Sequence, residues 1–559
     1  MTQPSSPAAQ PRLADLALKK PLKVRDIWAL GVGVVITGEY FGWNFALKDN
    51  GPVAVLLASL IVCLLYLTWV LVLTELSVAM PFAGGPLAYG RRAGGPTMGF
   101  IMGWSMFLQC QFATITTALA TGGFIAFLAN PAAPSETVAV WTALATVGIF
   151  FVLHSWGVQE QSTVMVWMTY GAIIGLVIFW ILASTSFRLE RVWTTPLLPA
   201  VKGWRAVLDA VPYALWWLLM IETVALAAEE ADEPQRTIPR GLVWSQLTLI
   251  VLVVLTWLFA CGAVEDTQAL GEIAVMYPLA KVISEIPVGK SPWAVYGFAS
   301  MALFGMIASY HGMIYGASRQ AFALGRAGYL PGILGKVHVE RRTPVPALLI
   351  CSLIVVAFIF GNLRYKDAIA LALLVSTLTA LVWYIMAIAC LFLLRKREPQ
   401  LFRHYRAPMA NVLPITVMAL AIFSAWVYIG IDIKVLPVTV GLYVVGLAYY
   451  FGWSRSRLKS SAPEEQTGAT HHHDHLINPK NDQTQRPVSR GTRFLEQITS
   501  AVLLLVMATL GWIVFIAYGQ AAHRQIVSQW ELFGVTGLLL LALGLVSLVA
   551  LLHTRKLTR

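Results

Sequence analysis

Runs of roughly 20 apolar residues recur from about residue 27 to residue 553, the length an α-helix needs to cross a hydrocarbon core. Backbone in lipid must satisfy its own amides and carbonyls, so runs this long point to a bundle of membrane-spanning helices. Spans of a β-barrel would alternate polar and apolar residues in shorter segments. With 58% hydrophobic and 12% charged residues and a mean hydropathy of +0.70, a chain of 559 residues lacks the polar surface of a soluble protein.

About fourteen spans are expected from their length. Ten of them fall at 27–48, 53–79, 97–128, 137–154, 163–184, 208–229, 243–263, 293–318, 345–361 and 367–394, and two more near 412–431 and 435–453. The chain thus divides into a polar tail (1–25), a twelve-helix core (26–453), a polar linker (454–492) and a last unit of two spans (493–559). The linker is rich in Ser, Pro, Gln and Asn and reads as disordered. Between the seventh and eighth spans an amphipathic stretch, Gln268 to Ile286, predicts a short helix on the outer face. The tail has no compact apolar stretch ending in a cleavage site, so no signal peptide is expected.

The net charge of +12 invites a nucleic-acid partner, but its distribution argues against one. Basic residues gather at alternate helix ends: Lys23 and Arg25, Arg91 and Arg92, Arg236 and Arg240, Arg319 and Arg326, Arg395 to Arg397, Arg455 and Arg457. That is the positive-inside pattern; it places both termini in the cytoplasm of a multi-pass plasma-membrane protein. One opposite loop, with Arg188, Arg191, Lys202 and Arg205, weakens the contrast without reversing it. The five cysteines all fall inside apolar runs and read as small packing residues. His471 to His475 (HHHDH) has metal-ligand residue types, but it sits in the linker with no second ligand cluster, so neither metal nor other cofactor is expected. No nucleotide-binding loop, serine elbow or metalloprotease motif is present, and no enzyme is expected.

Two carboxylates lie where hydrocarbon should be. Glu39 falls in ITGEYFGWN (Ile36 to Asn44) of the first span, and Glu222 in WWLLMIET (Trp216 to Thr223) of the sixth. A charge at the bilayer centre costs about 2.5–3.5 kcal/mol on insertion scales, so such a residue faces a cavity, a partner or a pathway. If the first and second five spans are inverted repeats, the first and sixth occupy equivalent positions. Interrupted hydrophobic segments at matching places in two halves mark a secondary transporter's binding site.

Three motifs carry a resemblance. TELSVAMPFAGGPLAYGRRAGGPTMGFIMGW (Thr74 to Trp104), ETVALAAEEADEPQRTIPRG (Glu222 to Gly241) and ASYHGMIYGASRQAFALGRAGYLP (Ala308 to Pro331) are similar to motifs of the amino acid–polyamine–organocation superfamily. With GEYFGWN, the combination most resembles ethanolamine permeases, over roughly residues 20–455. The resemblance implies the five-plus-five inverted-repeat (LeuT-like) fold, with substrate held at unwound first and sixth helices. In amino acid carriers of this superfamily, free amides at the first break receive a substrate carboxylate. Here Thr37 and Gly38 occupy those small positions and Glu39 comes next.

A carboxylate at that place repels a substrate carboxylate and attracts an ammonium, by about 4 kcal/mol at 4 Å and an effective dielectric near 20 before desolvation. The expected ligand is therefore a small amine such as ethanolamine, paired with Glu39 and with its hydroxyl on Thr37. Tyr40, Trp43, Trp216 and Trp217 are candidates to wall it, with Trp216 closing over it. Glu222 matches a family position linked with gating or proton sensing, and His311 in the eighth span can relay protons or bind a polar substrate. Each has a structural alternative: a hydrogen-bond partner for broken backbone, a helix–helix contact, a packing histidine. Met220 stands where many relatives carry Gly, which leaves the unwinding of the sixth helix open. Glu75, Arg91, Glu229, Glu230 and Arg236 are candidates for an inner gate of ion pairs, with solvated helix caps as the alternative. The fifth span lacks Lys and Arg from Thr163 to Ala183, so sodium, proton and exchange coupling all stay open, as does oligomeric state. Rivals to amine import are an amino acid transporter or exchanger of the same fold, and a transporter-derived sensor; a continuous polar pore is not seen.

Overall fold

The computed structural model describes residues 22–459, apart from 131–132, 194–196, 273–276, 339, 342, 364–367, 410 and 429–433. The tail up to residue 21, the linker from residue 460, its histidine run and the last two expected spans lie outside the described residues.

The helices, in chain order, are α1 (Val24–Val35), α2 (Thr37–Tyr40), α3 (Leu47–Ala79), α4 (Gly85–Gly94), α5 (Pro96–Ala129), α6 (Glu136–Trp156), α7 (Val158–Ser184), α8 (Leu189–Val192), α9 (Arg205–Ala214), α10 (Thr223–Leu226), α11 (Pro234–Ala263), α12 (Pro278–Glu285), α13 (Pro292–Arg326), α14 (Val345–Asn362), α15 (Ala368–Arg397), α16 (Val412–Val427) and α17 (Val435–Tyr449). Nine helical stretches among the described residues are long and apolar enough to cross a membrane. One of them, Val24–Ala79, holds two spans, because Gly51 (φ 74°) interrupts it before Pro52 restarts the helix. The broken sixth span and the shorter α16 complete the expected twelve.

Two helices depart from the expected ranges, each for its own reason. α11 begins at Pro234 and α13 runs on to Arg326, each beyond its apolar run. Helix continues where hydrocarbon ends because Pro suits a first turn and because Arg319 finds a buried partner. Of the expected outer helix, Pro278–Glu285 is helical, preceded by a 3₁₀ turn at Ala269–Gly271. That turn sits on the first span, where the Asn44 Nδ2 donates to the Leu270 carbonyl at 2.6 Å.

The packing repeats. α1 lies against α11 as α9 lies against α3; α5 lies against α15 and α6 as α13 lies against α7 and α14. These pairs exchange when the first five spans are laid on the second five. Five is odd, so the halves run in opposite directions. α1–α2, α3, the sixth span and α11 form one group; α5, α6, α13 and α14 form another; α7 and α15 pack against both. At the arginine-rich end, Leu22 pairs with Ala231 as a lone parallel β-bridge: its amide donates to the Glu230 carbonyl at 3.2 Å and its carbonyl accepts from Asp232 at 2.8 Å. Two of the opposite loop's basic residues are tied down locally. Arg191 reaches Glu265 at 3.0 Å, and Lys202 reaches Asp209 at 3.3 Å.

Candidate functional site

The first span breaks over a single turn. α1 stops at Val35, α2 makes one turn, Phe41 is extended and Gly42 takes φ 98°. Gly42 is required twice over, because its φ is left-handed and a Cβ there would lie 2.5 Å from the Trp216 ring. Ser309 of α13 spans the break: its hydroxyl accepts from the Thr37 amide at 2.8 Å and donates to the Gly33 carbonyl at 2.9 Å. Three more amides there are committed, Glu39 to the Ile36 carbonyl, Phe41 to the Thr37 carbonyl and Gly42 to the Asn44 side chain.

The sixth span breaks too. α9 tightens into a 3₁₀ turn at Leu215–Trp217, and Met220 takes φ 83° before α10 resumes for one turn. Unwinding therefore proceeds without the family's Gly, with Met220 itself holding the left-handed conformation. An unbranched side chain tolerates that at a cost; a β-branched one does so far worse. Met220→Ile is expected to cost about 1–3 kcal/mol, measured as a lowered detergent melting temperature, while Met220→Gly is expected to cost less.

The two breaks touch through Gly38. A Cβ on Gly38 would lie 2.7 Å from the Trp216 carbonyl and 2.9 Å from that of Trp217, both backbone atoms that cannot swing aside. Gly38→Ala is accordingly expected to reduce uptake at least tenfold with protein still in the membrane, read by flux against surface quantity. Around this contact the aromatic residues fill space. Trp43 stacks on Trp217 (4.6 Å, 16°), so those faces are closed to a cation. Trp216 meets Phe41 edge-on at 5.8 Å, and its Nε1 has no hydrogen bond. Tyr40 points elsewhere, donating to the Ala172 carbonyl of α7 at 2.6 Å, and the Thr37 hydroxyl lies 3.6 Å from the Met306 sulfur.

The two glutamates differ sharply in company. Glu39 is fully buried and neither carboxylate oxygen makes a hydrogen bond. Its neighbours are Thr256 of α11, whose hydroxyl faces the carboxyl group, and Cys63 of α3. Glu222 accepts from the Gln109 amide and from the Tyr384 hydroxyl at 2.5 Å, while its second oxygen has no partner. Gln109 in turn accepts from Trp383 Nε1 at 2.7 Å, and the Tyr66 hydroxyl sits 3.3 Å from that of Tyr384. Glu222 thus ties the second break to α3, α5 and α15.

Of the expected gate, Glu75 and Glu230 are buried and Glu229 is half-buried, and their partners come from α13 and α15. Glu230 meets Arg319 at 2.9 Å and Tyr315 at 2.6 Å. Glu229 meets Arg326 at 3.1 Å and the Ala83 amide at 2.8 Å. Glu75 holds Arg395 through two bonds, 2.6 and 2.8 Å, and the Ala407 amide. Arg236 instead pairs with Glu233 on the surface, as a helix cap would, and Arg91 packs its backbone beneath Gly99 at the end of α4. His311 stands apart from Glu39 and Glu222, its ring beside that of His154.

Sequence reasoning passed over Tyr66, Thr256, Trp383 and Tyr384, ordinary residues in apolar spans. Arg319, Arg326 and Arg395 enter it as topology signals, the first two also inside a motif, and none as a partner for a buried acid. The SRQAFALGR continuation (Ser318 to Arg326), with its bases spaced for one helix face, was the available clue.

Two interrupted spans meeting at their breaks, inside paired five-span halves, define a multi-pass membrane transporter. The amino acid permease family profile matches residues 22–451. Similar proteins include an uncharacterized transporter of Rhizobium meliloti, 29% identical over 79% of this chain and 94% of that one. The branched-chain amino acid permease BcaP of Bacillus subtilis is 26% identical over 79% and 95%, and the methylthioribose transporter of the same species 27% over 78% and 94%. This chain belongs to the amino acid permease family.

Proposed function

We propose that this transporter imports ethanolamine or a similar small amine across the plasma membrane by alternating access, with both ends of the core in the cytoplasm. One observation carries the reading: Glu39 is fully buried at the first break, and among the described residues no basic side chain pairs with it. A buried carboxylate without a partner is costly to the empty protein and is relieved by a cation. The committed amides of Thr37, Glu39, Phe41 and Gly42 support the same reading, since they are not available to a substrate carboxylate. The ion pairs of Glu75, Glu229 and Glu230 join the first helix group to α13 and α15 and serve as the inner gate.

The second reading, a branched-chain amino acid carrier, is favoured by the likeness to BcaP. Radiolabelled ethanolamine should enter liposomes containing the protein, and a hundredfold excess of leucine should leave that uptake unchanged. Leucine uptake with no ethanolamine uptake would replace the amine reading by the amino acid one.

A further inference from the structure

His154 on α6 and His311 on α13 bring their rings to 4.4 Å between centroids at a tilt of 44°. Both are buried, at 2% and 3% exposure, and Phe150 lies against each ring. Two buried imidazoles this close repel a second charge: once one is protonated, the next proton is disfavoured. The pair is suited to hold a single proton.

That proton has a route and something to act on. His311 lines a cavity of about 30 Å³ together with Asp26, Ser162, Glu230 and Tyr315, on the arginine-rich side of the bundle. Two residues before His311, Ser309 bridges the break in the first span; the next residue, Gly312, is packed so tightly on α1 that a Cβ would lie 2.6 Å from Val34. One turn beyond, Tyr315 donates to Glu230 of the gate and places its ring 6.5 Å from His154.

Among the described side chains, the charged and titratable groups facing the pair come from three elements, and α7, packed on both α6 and α13, carries Glu160 in its first turn. α1 supplies Asp26, the segment after the second break supplies Glu230, and α13 itself supplies Tyr310, Tyr315 and Arg319. Arg341 donates to the Ser155 carbonyl beside His154. α5 and α14 carry no acidic or basic residue, and α14 adds the Cys351 thiol near Tyr310.

We propose that the His154–His311 pair is the proton-binding site through which this transporter couples solute movement to a proton gradient. The inference rests on the transport reading but not on the solute. A proton on the pair sits between the brace of the first break and the Tyr315–Glu230–Arg319 contact, so its arrival and loss bias which face opens.

The test compares two modes in one preparation of liposomes holding the full chain: counterflow, which needs no net proton movement, and accumulation driven by an imposed pH gradient. Ethanolamine is the probe, or leucine where only leucine exchanges; that outcome ends the amine reading and leaves this test standing. For His154→Gln and His311→Gln, the ratio of proton-driven accumulation to counterflow is expected to fall at least tenfold, and the acid rise of the uptake–pH profile to flatten. Counterflow certifies folding. An unchanged ratio in both variants, or wild-type accumulation indifferent to the pH gradient, overturns the proposal.

Discussion

Replacing Glu39 by Gln is expected to abolish amine uptake while leaving the protein as stable as the wild type or more so. The two effects separate because the carboxylate is a burden on the empty protein and an asset only to the loaded one. In the structure it is fully buried beside the Thr256 hydroxyl, and among the described residues no basic side chain pairs with it. Removing that charge lifts a desolvation cost. The ligand loses a Coulomb attraction of about 4 kcal/mol at contact distance and an effective dielectric near 20, equivalent to roughly a thousandfold in affinity. Equilibrium binding of labelled ethanolamine to detergent-solubilised protein, beside a melting curve, checks both halves. Binding that survives the substitution removes Glu39 from recognition.

The second large effect belongs to the gate. Arg319→Met is expected to lower stability by about 3–5 kcal/mol, because it strands Glu230 without its cation. Both partners are essentially inaccessible, 2% and 0% exposed as side chains, so water cannot replace the lost guanidinium. Tyr315 would remain as Glu230's sole side-chain donor among the hydrogen bonds described. The double variant Glu230→Gln/Arg319→Met removes both charges and is expected to recover most of the lost melting temperature. It should transport poorly all the same, since the charged Glu230–Arg319 link between the sixth span and α13 is gone while Glu229–Arg326 alone remains. A single variant as stable as the wild type would mean that the pair is not buried in the working protein.

How far the primary structure discloses this arrangement varies residue by residue. The first break is legible: Gly38 and Gly42 sit beside a charge that no lipid-facing helix would keep, and both prove sterically necessary. Glu222 likewise marks the sixth break, but Met220 as its left-handed residue does not follow from any propensity, since tertiary packing overrides the local preference. Tyr384 and Trp383 are illegible for another reason. Aromatic residues in an apolar span look alike whether they pack or donate, and only the 162 residues of separation collapsed by folding bring Tyr384 to Glu222. Arg319 was visible but misassigned in role, because a basic residue after an apolar run reads as a loop charge until a buried acid from elsewhere meets it. The pairing of the halves rested on layout and segment number, and it emerges in the exchanged contacts of α1 with α11 and α9 with α3.

The short β-bridge at the arginine-rich end has a mechanical corollary. Leu22 enters the first span directly, and Ala231 leaves the sixth, so the two main-chain bonds between them splint the tails of both interrupted rods. Neither rod can pivot outward alone at that end without rupturing the splint. A displacement of Leu22 is therefore felt at both hinges at once, through one pair of main-chain bonds.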